Sequence, residues 1–330
     1  MTDNYVDSIT IERTMKIAIT GASGFIGKAT LNALSSDPSV TEISALLSPR
    51  HQQTENLDSP KLRLISGNLS DRCVATKVVS GCEAVIHLAN RGLPWENESD
   101  PEKVMEENLD STSELVEACY LGGVKRLLFI STGGAMYRPL PNRGDRLDEE
   151  AAIELRTAYA ASKRLVEILL LRYASMNAIQ PTILRVASVY GEGRDLSRRS
   201  GFIPRLIHSA ETNNPLPIWV SLETAKDFLY LKDCVAAFQS WLRHPEAPIG
   251  IYNVGSGRAH SLAEVIDVVE SVTGRRVNLQ KEKSQVTDVP FTLLNYAKFA
   301  KAFRWQPSYT LSDGIREMWH ATEQTSAIAA

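Results

Sequence analysis

Tyr159 and Lys163 lie four positions apart in the segment Ala158-Tyr-Ala-Ala-Ser-Lys163, and together they have the chemistry of a proton donor with a charged neighbour. At this spacing on a helix, the two side chains project from the same face. The lysine ammonium favours the phenolate, because the ordinary phenol pKa of about 10 suits proton transfer near neutrality poorly. The same spacing also occurs by chance on amphipathic helices, so it indicates a catalytic pair only in combination with other motifs of the chain.

A turn punctuated by glycines lies well upstream, in the segment Thr20-Gly-Ala-Ser-Gly-Phe-Ile-Gly27. It follows an apolar segment typical of a strand and opens a segment typical of a helix. In that context glycines permit a tight turn, and the amide groups at the helix start approach a pyrophosphate. We therefore expect a dinucleotide to contact Gly21, Ser23, Gly24, Phe25, Ile26 and Gly27.

The end of the second predicted strand bears on the choice between NAD and NADP. An acidic residue is expected there to bind a ribose hydroxyl of NAD, but Leu46-Leu-Ser-Pro-Arg50 contains none. Arg50 is suited to the 2′-phosphate of NADP, although it is equally consistent with an exposed loop residue. Both cofactors stay open. Asn68, after the third strand, either binds adenine or forms a turn, and His87 is interpreted as a hydrogen-bonded core residue.

Composition restricts the class of protein and of partner. The chain has 330 residues, 43% of them hydrophobic, and a formal net charge of -3 without a block of either sign, so it offers no electrostatic reason to bind nucleic acid or a membrane. Its four cysteines are far apart, which argues against disulfides and against a metal site. No segment approaches the roughly 20 apolar residues of a membrane span, and the start is not a signal peptide. We expect a cytoplasmic protein.

Apolar segments rich in β-branched residues alternate with helical periodicity from Lys16 to Val186. This alternation predicts an α/β fold with a doubly wound parallel sheet, covered on both faces, whose ligands collect at the carboxyl ends of the strands. The helices with the clearest patterns are Phe25 to Leu34, Glu102 to Leu121 and Thr157 to Tyr173.

The pattern becomes less regular after Gly191, which indicates a smaller, interleaved substrate-binding portion. We assign residues 1–14 to a flexible extension and residues 15–190 plus 228–254 to a dinucleotide-binding domain. Residues 191–227 plus 255–330 form the substrate-binding portion in this division.

Several motifs occur together and in order, and they resemble those of the extended short-chain dehydrogenases/reductases. Within that group the chain resembles the nucleotide-sugar epimerase/dehydratase family, in particular its UDP-glucose 4-epimerase-like members, from Lys16 to about Ile315. The motifs are the Thr20–Gly27 turn, Val85-Ile-His-Leu-Ala89, Asn108, Ser131-Thr-Gly-Gly-Ala-Met-Tyr137, Tyr159 to Lys163, Leu184-Arg-Val-Ala-Ser-Val-Tyr-Gly191, Lys226-Asp-Phe-Leu-Tyr230 and Tyr252-Asn-Val-Gly-Ser256.

The resemblance implies a Rossmann-type fold and a role for each motif. Tyr159 exchanges a proton with a sugar hydroxyl or carbonyl, and Lys163 also holds the nicotinamide ribose. Thr132 or Ser131 hydrogen-bonds the reacting oxygen, and Thr132 is preferred because it precedes Gly-Gly. The further implied contacts are Leu69, Leu88, Ala89 and Asn108 for the cofactor, and Ser188, Arg199 and Lys226 for a nucleotide-sugar substrate.

The chain departs from the family pattern at positions that bear on the substrate. Family members often have Phe-Asn at Ala187-Ser188 and an arginine at Lys226, so contacts to the diphosphate are expected to differ. A lysine supplies charge without a bidentate fork. Arginines of the following loops are therefore candidates for phosphate contacts, or else they are solvent-exposed: Arg194, Arg198, Arg199 and Arg205.

Three functions stay open at this point. Dehydratases of the family usually carry an Asp-Glu pair where this chain has Gly133-Gly134, so the leading hypothesis is a nucleotide-diphospho-sugar epimerase acting at C4. The alternative is an NADPH-dependent reductase of a 4-keto-sugar nucleotide, motivated by the missing acid and by Arg50. A nicotinamide-binding sensor or scaffold is disfavoured because Tyr159, Lys163 and Thr132 are all present. The family also suggests a homodimer formed through two helices of each subunit.

Overall fold

A seven-stranded parallel sheet forms the centre of the protein, with the strand order β10-β6-β5-β4-β1-β2-β3. The computed structural model describes residues 14–49, 59–92, 100–140, 142, 144–193, 201–282 and 290–329. The expected α/β class with a doubly wound parallel sheet is confirmed. The strands of this sheet are β1 (Met15–Thr20), β2 (Val40–Leu47), β3 (Leu62–Ser66), β4 (Ala84–His87), β5 (Arg126–Thr132), β6 (Gln180–Val186) and β10 (Gly250–Val254).

Helices cover both faces of this sheet, and five short strands of the described residues lie outside it. The helices are α1 (Phe25–Ser35), α2 (Arg72–Val79), α3 (Pro101–Leu121), α4 (Ala158–Ser175), α5 (Phe202–Thr212), α6 (Leu231–Arg243), α7 (Leu262–Thr273), α8 (Ala297–Phe303) and α9 (Leu311–Ala329). The remaining strands are β7 (Ser188–Tyr190), β8 (Leu216–Ile218), β9 (Ala225–Tyr230), β11 (Ala259–Ser261) and β12 (Leu279–Lys281). Within the described ranges, no helix is both long enough and apolar enough to cross a membrane.

Alternation along each strand divides the core into two layers. Ile17 and Ile19 of β1 pack in one layer with residues of α1, α6 and α8, whereas Ala18 packs in the other with residues of α2, α3 and α4. Phe129 and Ile130 of β5 divide in the same way. Both faces of the strands are therefore apolar, which is why the sequence shows nearly continuous apolar segments there.

The order of the strands reverses between β1 and β4. From β1 the chain proceeds outward to β2 and β3, and from β4 it proceeds in the opposite direction to β5, β6 and β10. Thr20 at the end of β1 lies opposite His87 at the end of β4. In open α/β sheets such a reversal leaves a crevice beyond the carboxyl ends of the strands, where ligands bind.

A smaller layer of structure lies beyond these carboxyl ends. β11, β9 and β7 form a three-stranded sheet, and β12 pairs with β8. A third core joins residues of α5, α7 and α9. The expected division of the chain stays a prediction. β7 belongs to the three-stranded sheet, and α8 packs through Phe299 and Phe303 into the core of the large sheet.

Candidate active site

The glycine turn between β1 and α1 brings backbone against backbone. Gly21 has a φ of +69°, and a Cβ there would lie 2.6 Å from the amide nitrogen of Ala89 at the end of β4. A Cβ on Gly27 would collide with the carbonyl oxygen of Gly21. A side chain at Gly21 would therefore push the turn away from the segment after β4, and a side chain at Gly27 would push the turn and the helix apart.

The start of α1 is suited to an anion. The helix begins at Phe25 after Gly24, no side chain caps it, and its first turn contains no acidic residue. Amide groups at a helix start lack partners within the helix and carry partial positive charge. Together with the glycine turn at the crevice, this arrangement fits the pyrophosphate of a dinucleotide.

A buried chain of hydrogen bonds links β1, β4 and α3 beneath this turn. The Thr112 hydroxyl donates to the carbonyl oxygen of Asn108 (2.8 Å), so it accepts from His87 Nε2 (3.0 Å). His87 Nδ1 then accepts from Thr20 Oγ1 (2.7 Å), which in turn accepts from the amide of Ala89 (3.2 Å). Burial, and then the charge of Lys163, lower the His87 pKa to about 3.

His87 is therefore neutral and holds the strand ends together, in agreement with its interpretation as a core residue. Across the described ranges, no cluster of three or more His, Cys, Asp or Glu side chains is arranged to hold a metal ion.

Tyr159 and Lys163 occupy the first two turns of α4. The Thr157 side chain accepts from the amide of Ala160 and so determines where the helix begins. Lys163 is 2% exposed, and its Nζ donates to the carbonyl oxygen of Ile130 in β5 (2.8 Å). Nζ lies 5.8 Å from the centre of the Tyr159 ring. The expected pair is thus present beside the carboxyl end of β5.

Burial lowers the pKa of Lys163 to about 7, although the negative charge of Glu167 raises it. The Phe129 ring also lies below the ammonium, at 4.7 Å from its centre. The ammonium therefore titrates near neutrality, and in its charged form it lies next to the phenol, where it favours the phenolate.

Ser131 and Thr132 end β5 but have different surroundings. The Ser131 hydroxyl donates to Glu167 Oε1 (2.6 Å) on the α4 side of the sheet. Thr132 is the last residue of the strand, and its side chain makes no hydrogen bond within the described part of the chain. The Ser131 hydroxyl proton is thus already donated to Glu167, whereas the Thr132 hydroxyl can still donate to and accept from a ligand.

The first of the two glycines after Thr132 is crowded, whereas the second has room for a Cβ. A Cβ on Gly133 would lie 2.6 Å from Leu294 Cδ1 and 3.2 Å from the carbonyl oxygen of Arg185. A Cβ on Gly134 would lie 3.4 Å from Ser188 Oγ. Ser188, a predicted substrate contact, is therefore close to the end of β5.

Among the other residues predicted to bind the cofactor, the two asparagines make hydrogen bonds within the protein and the two leucines are buried or half-buried. The Asn68 side chain accepts from the amide and hydroxyl of Ser70, which is the turn expected as its alternative role. The Asn108 amide bonds to the backbone of Arg91 and donates to Ser162 Oγ (3.3 Å), so it links the β4–α3 loop to α4. Leu69 is buried in the layer of the core that contains Ala18, and Leu88 is half-buried against the layer that contains Ile17.

The predicted phosphate contacts are only partly described. Arg50 and Arg199 lie outside the described residues, as do Arg194 and Arg198. Lys226 is half-buried in β9 and lies opposite His260 of β11. Sequence reasoning missed Glu167 and Arg185, although an arginine inside an apolar strand was a usable signal of a buried ion pair.

Comparison with known proteins places this geometry in a family. The family model described as "NAD dependent epimerase/dehydratase family" matches residues 17–255. The chain is 26% identical over 308 residues to the dTDP-4-dehydro-6-deoxyglucose reductase of Escherichia coli, covering 92% of this chain and 96% of that protein. It is 26% identical over 326 residues to the UDP-glucose 4-epimerase of Corynebacterium glutamicum, covering 93% and 96%.

Solved structures agree in fold along nearly the whole chain. The UDP-glucose 4-epimerase of Thermus thermophilus, in complex with NAD, superposes with a TM-score of 0.84 at 26% identity, covering 94% of this chain and 99% of that one. The UDP-glucose 4-epimerase of Thermotoga maritima, with UDP-glucose, gives 0.85 at 23% identity, covering 94% and 100%. The expectation of an enzyme is confirmed. The chain belongs to the NAD dependent epimerase/dehydratase family.

Proposed function

We propose that this protein is an NAD(P)-dependent nucleotide-diphospho-sugar epimerase that inverts the configuration at C4. The observation that carries the proposal is the buried Lys163 ammonium, bound to the Ile130 carbonyl beside the Tyr159 ring. This pair lies at the same edge of the sheet as the glycine turn, so a dinucleotide and a proton-transfer group meet in one crevice. The relatives named as UDP-glucose 4-epimerases support this choice of reaction.

Each residue of the site has a defined part in this reaction. Tyr159 takes the proton of the C4 hydroxyl and later returns a proton to the C4 ketone oxygen. Lys163 stabilises the phenolate that takes the first proton and that forms again when the proton is returned, because an opposite charge within a few ångströms favours the ionised form. The Thr132 hydroxyl hydrogen-bonds the reacting oxygen. When bound, a nicotinamide dinucleotide would supply the hydride acceptor and, once the 4-keto sugar has rotated in the crevice, the hydride donor.

The crowding at Gly133 supports an epimerase over a dehydratase. Elimination of water needs an acid and a base beside the sugar, but this chain has no carboxylate at 133 or 134, and a side chain at 133 would crowd Leu294. Hydride transfer coupled to a single proton step at Tyr159 needs no such pair. For substrate binding we propose Ser188 and Lys226, together with Arg199, and Lys226 supplies a positive charge to the diphosphate.

The second candidate function is an NADPH-dependent reductase of a 4-keto-sugar nucleotide. The observation that favours it is the end of β2, where residues 46–49 contain no acid to bind the ribose hydroxyl of NAD. Arg50 follows directly and would suit a 2′-phosphate. The relatedness to the E. coli reductase points the same way. A reductase consumes one NADPH per product, whereas an epimerase regenerates its cofactor.

We also propose that the protein forms a homodimer through α3 and α4. These helices pack side by side, and α4 exposes Leu165 (39%), Ile168 (50%) and Leu171 (36%) at intervals of three residues. This spacing forms an apolar stripe along one helix face, which a second copy of the chain would cover. The cytoplasmic location stays a prediction.

Replacing Tyr159 with phenylalanine tests the proton-transfer role. We expect turnover of nucleotide sugar to fall by about 10²- to 10⁴-fold, because Tyr159→Phe removes a positioned general acid-base group and little else. Affinity for the cofactor, measured by isothermal titration calorimetry, should stay near that of the parent. Tyr173→Phe, in the same helix, is the matched control and should retain full turnover. Unchanged turnover in Tyr159→Phe would remove this residue from the mechanism.

Replacing Gly21 with alanine tests the dinucleotide cradle. Gly81 has a similar φ of +73° but has no atom within 4 Å of its Cβ position, so Gly81→Ala measures backbone strain alone, about 1–2 kcal/mol. Gly21→Ala should lower the free energy of unfolding by a further ~1–3 kcal/mol from its clash with Ala89, and should also weaken NAD(P) binding. Denaturant unfolding and calorimetry measure both. Equal cofactor affinity in the two variants would contradict the cradle.

The proposed dimer is tested by placing charge on the α4 stripe. The double variant Leu165→Glu with Ile168→Glu should be a monomer by light scattering, because four buried carboxylates in a dimer interface have no partners. Leu64→Glu is the control, since Leu64 is 44% exposed on the edge strand β3. A double variant that stays dimeric would place the interface elsewhere.

A further inference from the structure

A buried carboxylate lies one helical turn beyond Lys163. Glu167 follows Lys163 at i+4 on α4, so both side chains project from one face of the helix, and Glu167 is fully buried. A carboxylate in such surroundings is stable only when its oxygens accept several hydrogen bonds. None of the proton or hydride steps proposed for the reaction involves Glu167 directly.

Glu167 is saturated with donors, and one of them comes from the strand that binds Lys163. Oε1 accepts from Ser131 Oγ (2.6 Å) and Arg185 Nε (3.0 Å). Oε2 accepts from the second guanidinium arm of Arg185 (2.7 Å) and from Arg164 (2.9 Å). The contact with Arg185 is bidentate, which fixes the plane of the carboxylate as well as its position.

Arg185 extends this network to the other side of the site. Its remaining arm donates to the Tyr137 hydroxyl (3.0 Å) and to the Glu149 carbonyl (3.0 Å). Tyr137 in turn donates to Asn253 Oδ1 (2.8 Å) in β10. The network therefore joins α4 to β5, β6, β10 and the segment that follows Thr132.

Two adjacent residues of β5 are thus bound to two consecutive turns of α4. The Ile130 carbonyl accepts from Lys163, and the neighbouring Ser131 hydroxyl donates to Glu167. A shift of α4 along β5 would break both contacts at once. The negative charge of Glu167 also opposes the loss of the Lys163 proton that burial promotes.

We propose that Glu167, paired with Arg185, is a positioning residue that holds the Lys163 ammonium against the end of β5 and keeps it charged. The proposal rests on the proposed function in taking Lys163 as the partner of Tyr159. Ser131 is unavailable as a donor to the substrate, because its hydroxyl donates its proton to Glu167. The charged and titratable groups that face Lys163 are Tyr159 and Glu167 on α4 and His87 on β4, with Arg164 and Arg185 bound to Glu167.

The test measures the charge of Lys163 directly, in full-length protein whose lysines carry ¹³C at the ε carbon. The Lys163 signal is assigned with Lys163→Arg and followed by NMR against pH. In Glu167→Gln we expect its titration midpoint to fall by about one pH unit, because the nearest negative charge is gone. At pH 8 the charged fraction, and with it kcat, then falls about tenfold. Glu167→Asp, which keeps the charge, should return the midpoint toward that of the parent.

The matched control is Asp233→Asn. Asp233 is a buried carboxylate on α6 that accepts hydrogen bonds from Ser308 and Tyr309, so its loss should lower stability without moving the Lys163 midpoint. If Glu167→Gln does not fold, the paired variant Glu167→Gln with Arg185→Gln removes the charges of both ion-pair partners, and its reference is Arg185→Gln. The midpoint should be lower in the paired variant than in Arg185→Gln, because only the paired variant lacks the Glu167 charge.

An unchanged midpoint and an unchanged pH profile of kcat, in a folded Glu167→Gln compared with the parent or in the paired variant compared with Arg185→Gln, would overturn the proposal. A lowered midpoint in a protein whose parent form turns over no nucleotide sugar would support the positioning role and would refute the proposed function instead. The two failures are therefore separable, because the NMR titration requires no substrate.

Discussion

The burial of the Lys163 ammonium is the constraint on which the arrangement of the site depends. Moving an ammonium out of water is unfavourable unless hydrogen bonds and charges replace the water. Here the Ile130 carbonyl, the Phe129 ring and the Glu167 carboxylate do so, and they come from β5 and from the next turn of α4. Because these groups belong to different elements, the charge is stable only when α4 lies correctly on β5.

The burial of Lys163 affects stability and activity in opposite directions as the pH changes. The pKa of Lys163 falls from 10.5 to about 7 on folding. The unfolded chain therefore binds more protons between pH 7 and pH 10.5, so the contribution of this residue to stability rises with pH across that window. Proton transfer at Tyr159 nevertheless needs the ammonium. The fold tolerates a destabilising charge where the chemistry requires it.

Much of the site follows from local patterns in the chain. The glycine turn and the Tyr159–Lys163 spacing are recognisable because each depends on neighbours within about eight residues, and strand-helix alternation places both at one edge of the sheet. The starts of α1 and α4 also follow from local patterns, and each helix begins within one residue of its expected start.

What the pattern did not predict depends on tertiary contacts. Arg185 and Glu167 are 18 positions apart, and only the docking of α4 on β6 makes them an ion pair. The crowding at Gly133 arises from Leu294, which is distant in sequence. The strands β8 and β12 have three residues each, too few for a periodicity to be visible. α8 packs on the large sheet because of Phe299 and Phe303, which no local signal assigns to either core.

In the proposed reaction the site transfers hydride and proton at C4 and then reverses the transfer. The most direct measurement is NMR of UDP-hexoses labelled with deuterium at C4, incubated with the protein and a catalytic amount of NAD or NADP. We expect a C4 epimer that retains deuterium at C4, with no net change in the cofactor. Absence of any epimer, with stoichiometric oxidation of NADPH when a 4-keto-sugar nucleotide is supplied, would contradict the epimerase and would identify the protein as a reductase.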